Sequence, residues 1–174
     1  MNQSMVLQQK FFLRGFTGAG GGLAKECISL YPNANVIIFD LPEVVEIAKK
    51  DSVTSDKGRI TFQKGDFFKD PVPEADLYIL ARILHSWNDE QCIQLLTNMH
   101  KACKPGGGVI VVEVVLNEDR RGPPEAHIYS TIMLLIYGGR GRTASEHQAL
   151  FSAAGFKEME HKKGNFFDVM LGRK

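Results

Sequence analysis

The stretch NVIIFD, residues 35–40, decides the fold class, because it is an unbroken apolar run that ends in an acid. Runs of this kind are typical of strands that are buried on both faces of a parallel sheet. Pro42 follows almost at once and suits the first turn of a helix, which we predict to continue through Lys50. A buried strand followed directly by a helix is the repeating unit of α/β proteins.

The same alternation continues on both sides of this stretch. On the N-terminal side lie the apolar FFLRGF, the glycine-rich TGAGGG and a helical pattern from Leu23 to Leu30 that Pro32 ends. On the C-terminal side we predict strands at 60–65, 75–82, 109–115, 156–162 and 166–173, and helices from Asn88 or Asp89 to about Cys103, at 126–137 and at 144–154. Five strand–helix alternations followed by two consecutive strands predict an α/β fold with a doubly wound, mostly parallel sheet.

Length, charge and cysteine usage indicate one soluble domain. The 174 residues suffice for a single core, and 21 basic against 20 acidic residues give a net charge of +1 without the basic run of a nucleic-acid-binding protein. The three cysteines are scattered and lack CxxC spacing, which argues against disulfides or zinc and favours a reducing compartment. No apolar run reaches the roughly 18 residues of a membrane helix, and no signal peptide is recognisable. We therefore expect a cytoplasmic protein with no metal, membrane or nucleic-acid partner.

A glycine-rich loop and an acid about 20 residues later together indicate a nucleotide site. Gly18 and Gly20 lie before a predicted helix, where a backbone without side chains and free helical N–H groups can approach a ligand. Asp40 ends the next strand, where an acid can accept hydrogen bonds from both ribose hydroxyls. Leu23 takes the place of the third glycine of GxGxxG, which disfavours a nicotinamide dinucleotide. A flexible turn at the glycines and a helix-capping Asp40 are the alternative interpretations.

A second acidic loop follows the next predicted strand at the same sheet edge. Gly65, Asp66 and Phe67 place an acid beside an aromatic ring, a pair that can bind and stack an adenine. Loop acids are common, so this segment is informative only together with the glycines and Asp40. The three segments together predict a groove that suits an adenosine group.

The segment ARILHSWND, residues 81–89, carries one histidine directly after a predicted strand. An imidazole titrates near neutral pH and therefore suits a general base, yet a lone histidine at such a place is more often structural. The residues around His85 leave both interpretations open.

Five segments of the chain resemble the acetylserotonin O-methyltransferases, which belong to the plant and animal family of small-molecule O-methyltransferases. They are GGLAKECISLYP, FDLPEVV, GDFFKDPVPEADLYILARILHSWND, CKPGGG and NEDRRGPP, and the likeness begins at about residue 15. The resemblance implies the seven-stranded sheet of methyltransferases that use S-adenosylmethionine, with an antiparallel last strand. It also implies a catalytic domain at 15–174 after an unrelated extension at 1–14, in place of the N-terminal region through which the family forms homodimers.

The resemblance also assigns roles to the candidate site residues. It implies S-adenosylmethionine as the cofactor and N-acetylserotonin as the acceptor, methylated on its hydroxyl to give melatonin. It implies that Asp40 binds the ribose and that Arg82 lines the cofactor pocket. The resemblance implies that seven residues bind the cofactor: Gly18, Gly20, Asp40, Gly65, Asp66, Phe67 and Arg82. For catalysis it implies His85 as the general base and Glu113 as a supporting acid.

A second hypothesis is a catalytically silent nucleotide-binding or regulatory fragment that pairs with a full-length relative. It is favoured by five departures from the family pattern, at positions where the family has polar or acidic side chains: Gly15, Ser86, Ile132, Ile136 and Gly141. Gly141 stands where the family has the acid that orients the catalytic imidazole. A third hypothesis, a nicotinamide dehydrogenase, lacks both the third glycine and room for a substrate domain.

Overall fold

The computed structural model describes residues 3–9, 22–51 and 58–174, which form nine strands, five α-helices and one short 3₁₀ turn at Leu84–Ser86. None of the described helices combines the length and the apolar character needed to span a bilayer. The strands are β1 (Gln3–Gln9), β2 (Ala34–Asp40), β3 (Ile60–Lys64), β4 (Ala75–Ala81), β5 (Cys103–Glu113), β6 (Val115–Leu116), β7 (Arg142–Thr143), β8 (Glu158–Lys162) and β9 (Asp168–Arg173). The helices are α1 (Gly22–Leu30), α2 (Pro42–Asp51), α3 (Asp89–Ala102), α4 (Pro124–Tyr137) and α5 (Ala144–Ala153).

Seven of the strands form one sheet in the order β3-β2-β1-β4-β5-β9-β8, while β6 and β7 pair separately. The first five strands of this order are parallel to one another, and β9 runs antiparallel to both β5 and β8. The predicted α/β class is confirmed. The sheet is mixed because β9 returns beside β5 as the second arm of a hairpin with β8.

The strand β1 lies inside the sheet, between β2 and β4, although the sequence assigned residues 1–14 to an unrelated extension. Met5 is paired in register with Val36 on one side and with Leu77 on the other. The segment QSMVLQQ has apolar residues only at its centre, so its periodicity does not mark a buried strand. The sheet therefore begins before residue 15. The apolar segment FFLRGF, the glycines Gly18 and Gly20, and the boundary between residues 14 and 15 lie outside the described residues.

Helices flank the sheet on both sides, as the strand–helix alternation predicts. Successive side chains of a strand point to opposite faces. In β4, Tyr78 and Leu80 belong to one buried cluster, which also contains residues of α3 and α5. Ile79 belongs to a second cluster, which it shares with Cys27 and Ile28 of α1. Two hydrophobic cores on opposite faces thus hold the sheet in place.

The parallel strands β2, β3, β4 and β5 end at a common edge of the sheet. Asp40 closes β2, and its carbonyl oxygen accepts a hydrogen bond of 2.9 Å from the N–H of Gly65, the first residue after β3. Arg82, the first residue after β4, donates its N–H to the carbonyl oxygen of Val112 at 2.9 Å. Glu113 closes β5. The topology therefore brings the described part of the predicted site to one edge.

The glycines at 106–108, which directly follow the helix predicted to end at about Cys103, lie inside β5. A Cβ atom on Gly107 would lie 2.2 Å from the carbonyl oxygen of Asp76, and one on Gly108 would lie 2.4 Å from that of Gly172. The neighbouring backbones approach too closely here for any side chain. Gly107 and Gly108 therefore serve strand packing, and the helix ends before them at Ala102.

All three cysteines are buried and free: Cys27 in α1, Cys92 in α3 and Cys103 at the start of β5. Burial raises the pKa of each thiol, and it raises the pKa of Cys92 to about 12. The sulfurs consequently stay protonated at neutral pH and behave as apolar side chains.

Candidate active site

His85 lies on the 3₁₀ turn that follows β4, and its ring is held by Glu113 at the end of β5. The Nδ1 atom of the imidazole is 2.5 Å from Oε2 of Glu113, and both side chains are buried. Because an ionised carboxylate can only accept, Nδ1 carries the proton of this hydrogen bond. In the neutral form of the ring with this tautomer, the other ring nitrogen, Nε2, is an acceptor. The pair has the arrangement of a base and its orienting acid.

The carboxylate of Glu113 also holds the backbone of the turn. Its Oε1 atom accepts the N–H of Leu84 at 2.9 Å and the N–H of His85 at 3.4 Å. One side chain therefore fixes both the imidazole ring and the peptide groups that carry it. The sequence named Glu113 only as a supporting acid, and the structure places it directly on the imidazole, the position that the resemblance gave to residue 141.

Tyr129 of α4 packs against the histidine ring. The two rings meet edge to face, with their centroids 5.1 Å apart. Burial raises the pKa of the Tyr129 phenol, and the negative charge of Glu113 adds to the effect, so the hydroxyl stays protonated. The sequence analysis missed Tyr129, because the helix that carries it is apolar almost throughout and gives no periodic signal that selects one residue.

Arg142 of β7 contacts backbone carbonyl groups of the segment that carries His85. Its guanidinium donates to the carbonyl oxygens of Leu84 and Trp87, each at 2.8 Å, and to the carboxylate of Asp89. Although burial alone would raise the pKa of Asp89, hydrogen bonds from Arg142 and Arg140 lower it. The sequence pointed to the glycine before Arg142 and gave the arginine itself no role.

His147 of α5 is a buried imidazole that lies within electrostatic range of Glu113 and Arg142. Its Nδ1 atom has no hydrogen-bond partner within the described residues. Burial lowers the pKa of His147 to about 4. The ring is therefore neutral at physiological pH and adds no positive charge beside Arg142.

The acidic residues of the predicted nucleotide groove lie at the ends of β2 and β3. Asp40 is half-buried, and its Oδ1 atom accepts the N–H of Leu41 at 2.8 Å, just before α2 begins. Asp66 accepts the N–H of Phe68 at 2.9 Å and forms an ion pair with Lys69 at 2.9 Å. A hydrogen bond from Lys69 and another from the Phe68 backbone lower the pKa of Asp66, so its carboxylate is ionised.

The aromatic part of the groove is Phe67, which is half-buried. Its ring meets those of Phe68 and Trp87 edge to face, at centroid distances of 4.6 and 6.1 Å. Gly65, two residues before Phe67, is buried, and a Cβ atom at this position would lie 2.4 Å from the ring of Phe39. Glycine is therefore required where β3 ends.

Arg82 adopts a left-handed backbone conformation with φ at 60°, which is uncommon for a residue with a side chain. Such conformations are held in place by surrounding structure and concentrate at functional sites. The guanidinium carbon lies 5.9 Å from the ring centroid of Phe167, in the turn before β9. The chain therefore bends sharply at Arg82, directly before the turn that carries His85.

The family model described as an O-methyltransferase domain matches residues 3–157.

The chain belongs to this O-methyltransferase family.

Curated relatives within the family include the acetylserotonin O-methyltransferases of Gallus gallus, 54% identical, and of Homo sapiens, 51% identical, each aligned over 90% of this chain and 46% of the relative. A crystal structure of human N-acetylserotonin methyltransferase in complex with SAM superposes with a TM-score of 0.85 at 47% identity, covering 98% of this chain and 47% of that one. The structure of an O-methyltransferase family 2 protein from Planctomyces limnophilus, in complex with apigenin, superposes with a TM-score of 0.85 at 27% identity. The superposition covers 98% of this chain and 50% of that protein. The chain thus spans about half the length of the relatives it matches.

This O-methyltransferase domain also contains a cavity of about 620 Å³, whose lining residues do not include His85 or Glu113. It lies beside β6 and the turn between β8 and β9, and so begins two residues beyond Glu113. Inside it, Nε2 of His161 is 2.7 Å from Oδ2 of Asp168. Its volume is within the range of pockets for small molecules.

Proposed function

We propose that this chain carries the methyl-transfer site of an S-adenosylmethionine-dependent O-methyltransferase whose acceptor is the hydroxyl of N-acetylserotonin. The observation that carries the proposal is the buried His85–Glu113 pair, at the sheet edge where Asp40 and Gly65 also meet. The family and the similarity to acetylserotonin O-methyltransferases support the choice of cofactor and acceptor. The strand order, with β9 antiparallel, supports the seven-stranded fold of methyltransferases that use this cofactor.

The described residues fit such a cofactor. A ribose donates two hydroxyl protons, and Asp40 offers a half-buried carboxylate at the end of β2. Asp66 and Phe67 offer an ionised acid and an aromatic ring to an adenine. We infer that these residues hold the nucleoside, together with Gly65, Arg82 and the loop of Gly18 and Gly20.

When bound, the cofactor supplies a sulfonium methyl group as the electrophile. His85 contributes by accepting the proton of the acceptor hydroxyl at Nε2, since Nδ1 is already protonated toward Glu113. Glu113 then stabilises the positive charge on the ring and keeps its orientation. Tyr129 limits the movement of the ring from the side of α4 and remains neutral.

The composition of the chain supports a small-molecule partner and a reducing location. A net charge of +1 offers no electrostatic attraction to a nucleic acid. Three free, buried thiols suit the cytoplasm, where disulfides are rare.

The test combines calorimetry with a labelled methyl-transfer assay on N-acetylserotonin. We expect the chain to bind S-adenosylmethionine and to transfer its methyl group, and His85→Ala to abolish transfer at unchanged cofactor affinity. His127→Ala, which removes an exposed histidine of α4, is the matched control and should keep the wild-type rate. Tight binding without transfer would favour the silent fragment, and an active His85→Ala variant would remove His85 from the mechanism.

A further inference from the structure

Arg142 is almost completely buried, with only 1% of its surface exposed. A buried guanidinium is costly unless hydrogen bonds and a counter-charge compensate it. Here Nε and Nη2 donate to Oδ1 of Asp89 at 2.9 and 2.7 Å. Nη1 donates to the carbonyl oxygen of Leu84, and Nη2 also donates to that of Trp87, both at 2.8 Å. The side chain is therefore fixed by three acceptors that lie in different directions.

Two of these acceptors bracket His85 in the chain. Leu84 precedes the histidine directly, and Trp87 follows it by two residues. The internal hydrogen bonds of the turn lie at the upper end of the usual range, since the N–H groups of Ser86 and Trp87 are each 3.2 Å from their acceptors. The turn thus depends on partners from outside for its geometry.

Glu113 and Arg142 hold opposite polar groups of this turn. The carboxylate accepts the N–H groups of Leu84 and His85, whereas the guanidinium donates to the carbonyl groups. An anion and a cation from distant parts of the chain together fix the peptide groups on both sides of the imidazole. A shift of the turn would lengthen the short bond between Nδ1 and Glu113.

We propose that Arg142 is a positioning residue of the methyl transfer, which fixes the turn so that His85 keeps its hydrogen bond to Glu113 and presents Nε2 to the acceptor. This role rests on the proposed function. Arg142 acts through His85 and touches neither the acceptor nor the cofactor. A lysine cannot replace it, because one ammonium cannot donate along the divergent directions of a planar guanidinium.

Arg140 offers a matched control. It binds the same residue, Asp89, at 2.9 Å and also Glu146 at 2.6 Å, and its hydrogen bonds do not reach the carbonyl groups of the turn. Arg140→Gln removes an arginine from the same ionic network and leaves the contacts of Arg142 in place.

The experiment compares Arg142→Ala, Arg142→Lys and Arg140→Gln with the wild type. Three quantities are measured: kcat and KM for N-acetylserotonin, the Kd of S-adenosylmethionine by calorimetry, and the NMR signal of the His85 Nδ1 proton. Circular dichroism shows whether each variant is folded. Addition of guanidinium chloride at low concentration tests whether the missing group can be replaced in Arg142→Ala.

We expect Arg142→Ala to lower kcat by roughly a hundredfold, the effect of a small misplacement of a reacting group, at unchanged cofactor Kd. The Nδ1 proton signal should be lost through exchange with water, and added guanidinium should restore part of both the signal and the rate. Arg142→Lys should show the same loss in weaker form, while Arg140→Gln keeps the rate and the signal.

A folded Arg142→Ala variant that keeps kcat and the Nδ1 signal would overturn the proposal. If Arg142→Ala fails to fold, Arg142→Lys decides, and a rate within twofold of the wild type together with an intact signal would overturn it. If the wild type transfers no methyl group, the proposed function fails. The Nδ1 signal still decides the role of Arg142, since it reports the His85–Glu113 bond without turnover.

Discussion

Glu113 serves three donors with two oxygens: Oε2 accepts Nδ1 of His85, and Oε1 accepts two backbone N–H groups. In Glu113→Gln one of these oxygens becomes an NH₂ group, which faces a donor whichever way the amide turns. We expect the rate of methyl transfer to fall by at least about a hundredfold, as when other catalytic histidines lose their orienting carboxylate. A labelled methyl-transfer assay measures the rate.

Glu118→Gln is the control for this variant, because Glu118 is an exposed acid near the same strand end. It should keep the wild-type rate. Full activity of a folded Glu113→Gln protein would mean that the carboxylate does not orient the base.

His147 makes the stability of the fold depend on pH. Burial lowers its pKa to about 4, whereas an unfolded histidine titrates at about 6.5. Between these values, as the pH falls, the unfolded chain binds a proton that the folded chain does not, so the free energy of unfolding decreases. The loss reaches on the order of 3 kcal/mol near pH 4 and is absent above pH 7.

Urea denaturation at several pH values measures this contribution. His147→Gln should flatten the decrease of the free energy of unfolding between pH 6.5 and 4. The exposed His127→Gln should leave it unchanged. An equal slope in His147→Gln and the wild type would assign the pH dependence to other groups.

Single residues of the site differed in how well the sequence predicted them. His85 follows one predicted strand and Glu113 lies near the end of another, and the carboxyl ends of parallel strands meet at one sheet edge. Their roles were implied by the family resemblance. Tyr129 and Arg142 contact the turn across 44 or more residues of chain, and no local pattern encodes such contacts. Their roles become visible only when α4 and β7 are packed beside the turn.

At the scale of elements, helix α5 begins with a capping box. Thr143 Oγ1 accepts the N–H of Glu146 at 3.2 Å, and the Glu146 carboxylate accepts the N–H of Thr143 at 2.9 Å. Thr143→Ala removes the first of these bonds, and we expect it to lower the free energy of unfolding by about 1 kcal/mol. Chemical denaturation measures the change.

Thr131→Ala in α4 is the matched control. The Thr131 hydroxyl is exposed and donates to the carbonyl oxygen of His127 within its own helix. Its loss should change the free energy of unfolding by less than about 0.5 kcal/mol. Equal effects of the two variants would show that the cap contributes nothing specific.

Most elements could be predicted because periodicity and capping residues mark them locally. The helix expected from Asn88 or Asp89 begins at Asp89, and Asn88 caps it with a side-chain oxygen 2.8 Å from the N–H of Gln91. β1 could not be predicted, because its polar ends interrupt the apolar pattern of a buried strand. Its position in the sheet depends on pairing with its two neighbours, β2 and β4. The strand predicted at 109–115 corresponds to β5, but residues 103–108 at its start were missed, because Gly107 and Gly108 are required by the close approach of neighbouring backbones.

At the scale of the whole molecule, the proposed cofactor would link the ends of several strands and so stabilise the fold. A ligand that binds only the folded chain raises its stability by about 2.7 kcal/mol at a hundredfold excess over Kd. We expect S-adenosylhomocysteine, the demethylated cofactor, to raise the Tm of the wild type. Differential scanning calorimetry at several ligand concentrations measures the shift.

Asp40→Asn should abolish most of this shift, because an amide is a weaker acceptor for two ribose hydroxyls. The substitution keeps an oxygen that can accept the N–H of Leu41, so the fold should be retained. Glu43→Gln, on the exposed first turn of α2, should keep the full shift. An equal shift in Asp40→Asn would place the nucleoside elsewhere.

The burial of Cys27, Cys92 and Cys103 gives the native chain no readily reactive sulfur. A maleimide dye added under native conditions should therefore label the protein only as fast as the cores open. A cysteine introduced on the surface would become the single point of rapid attachment. The native cysteines therefore need not be replaced before a label is attached for fluorescence or spin-label distance measurements.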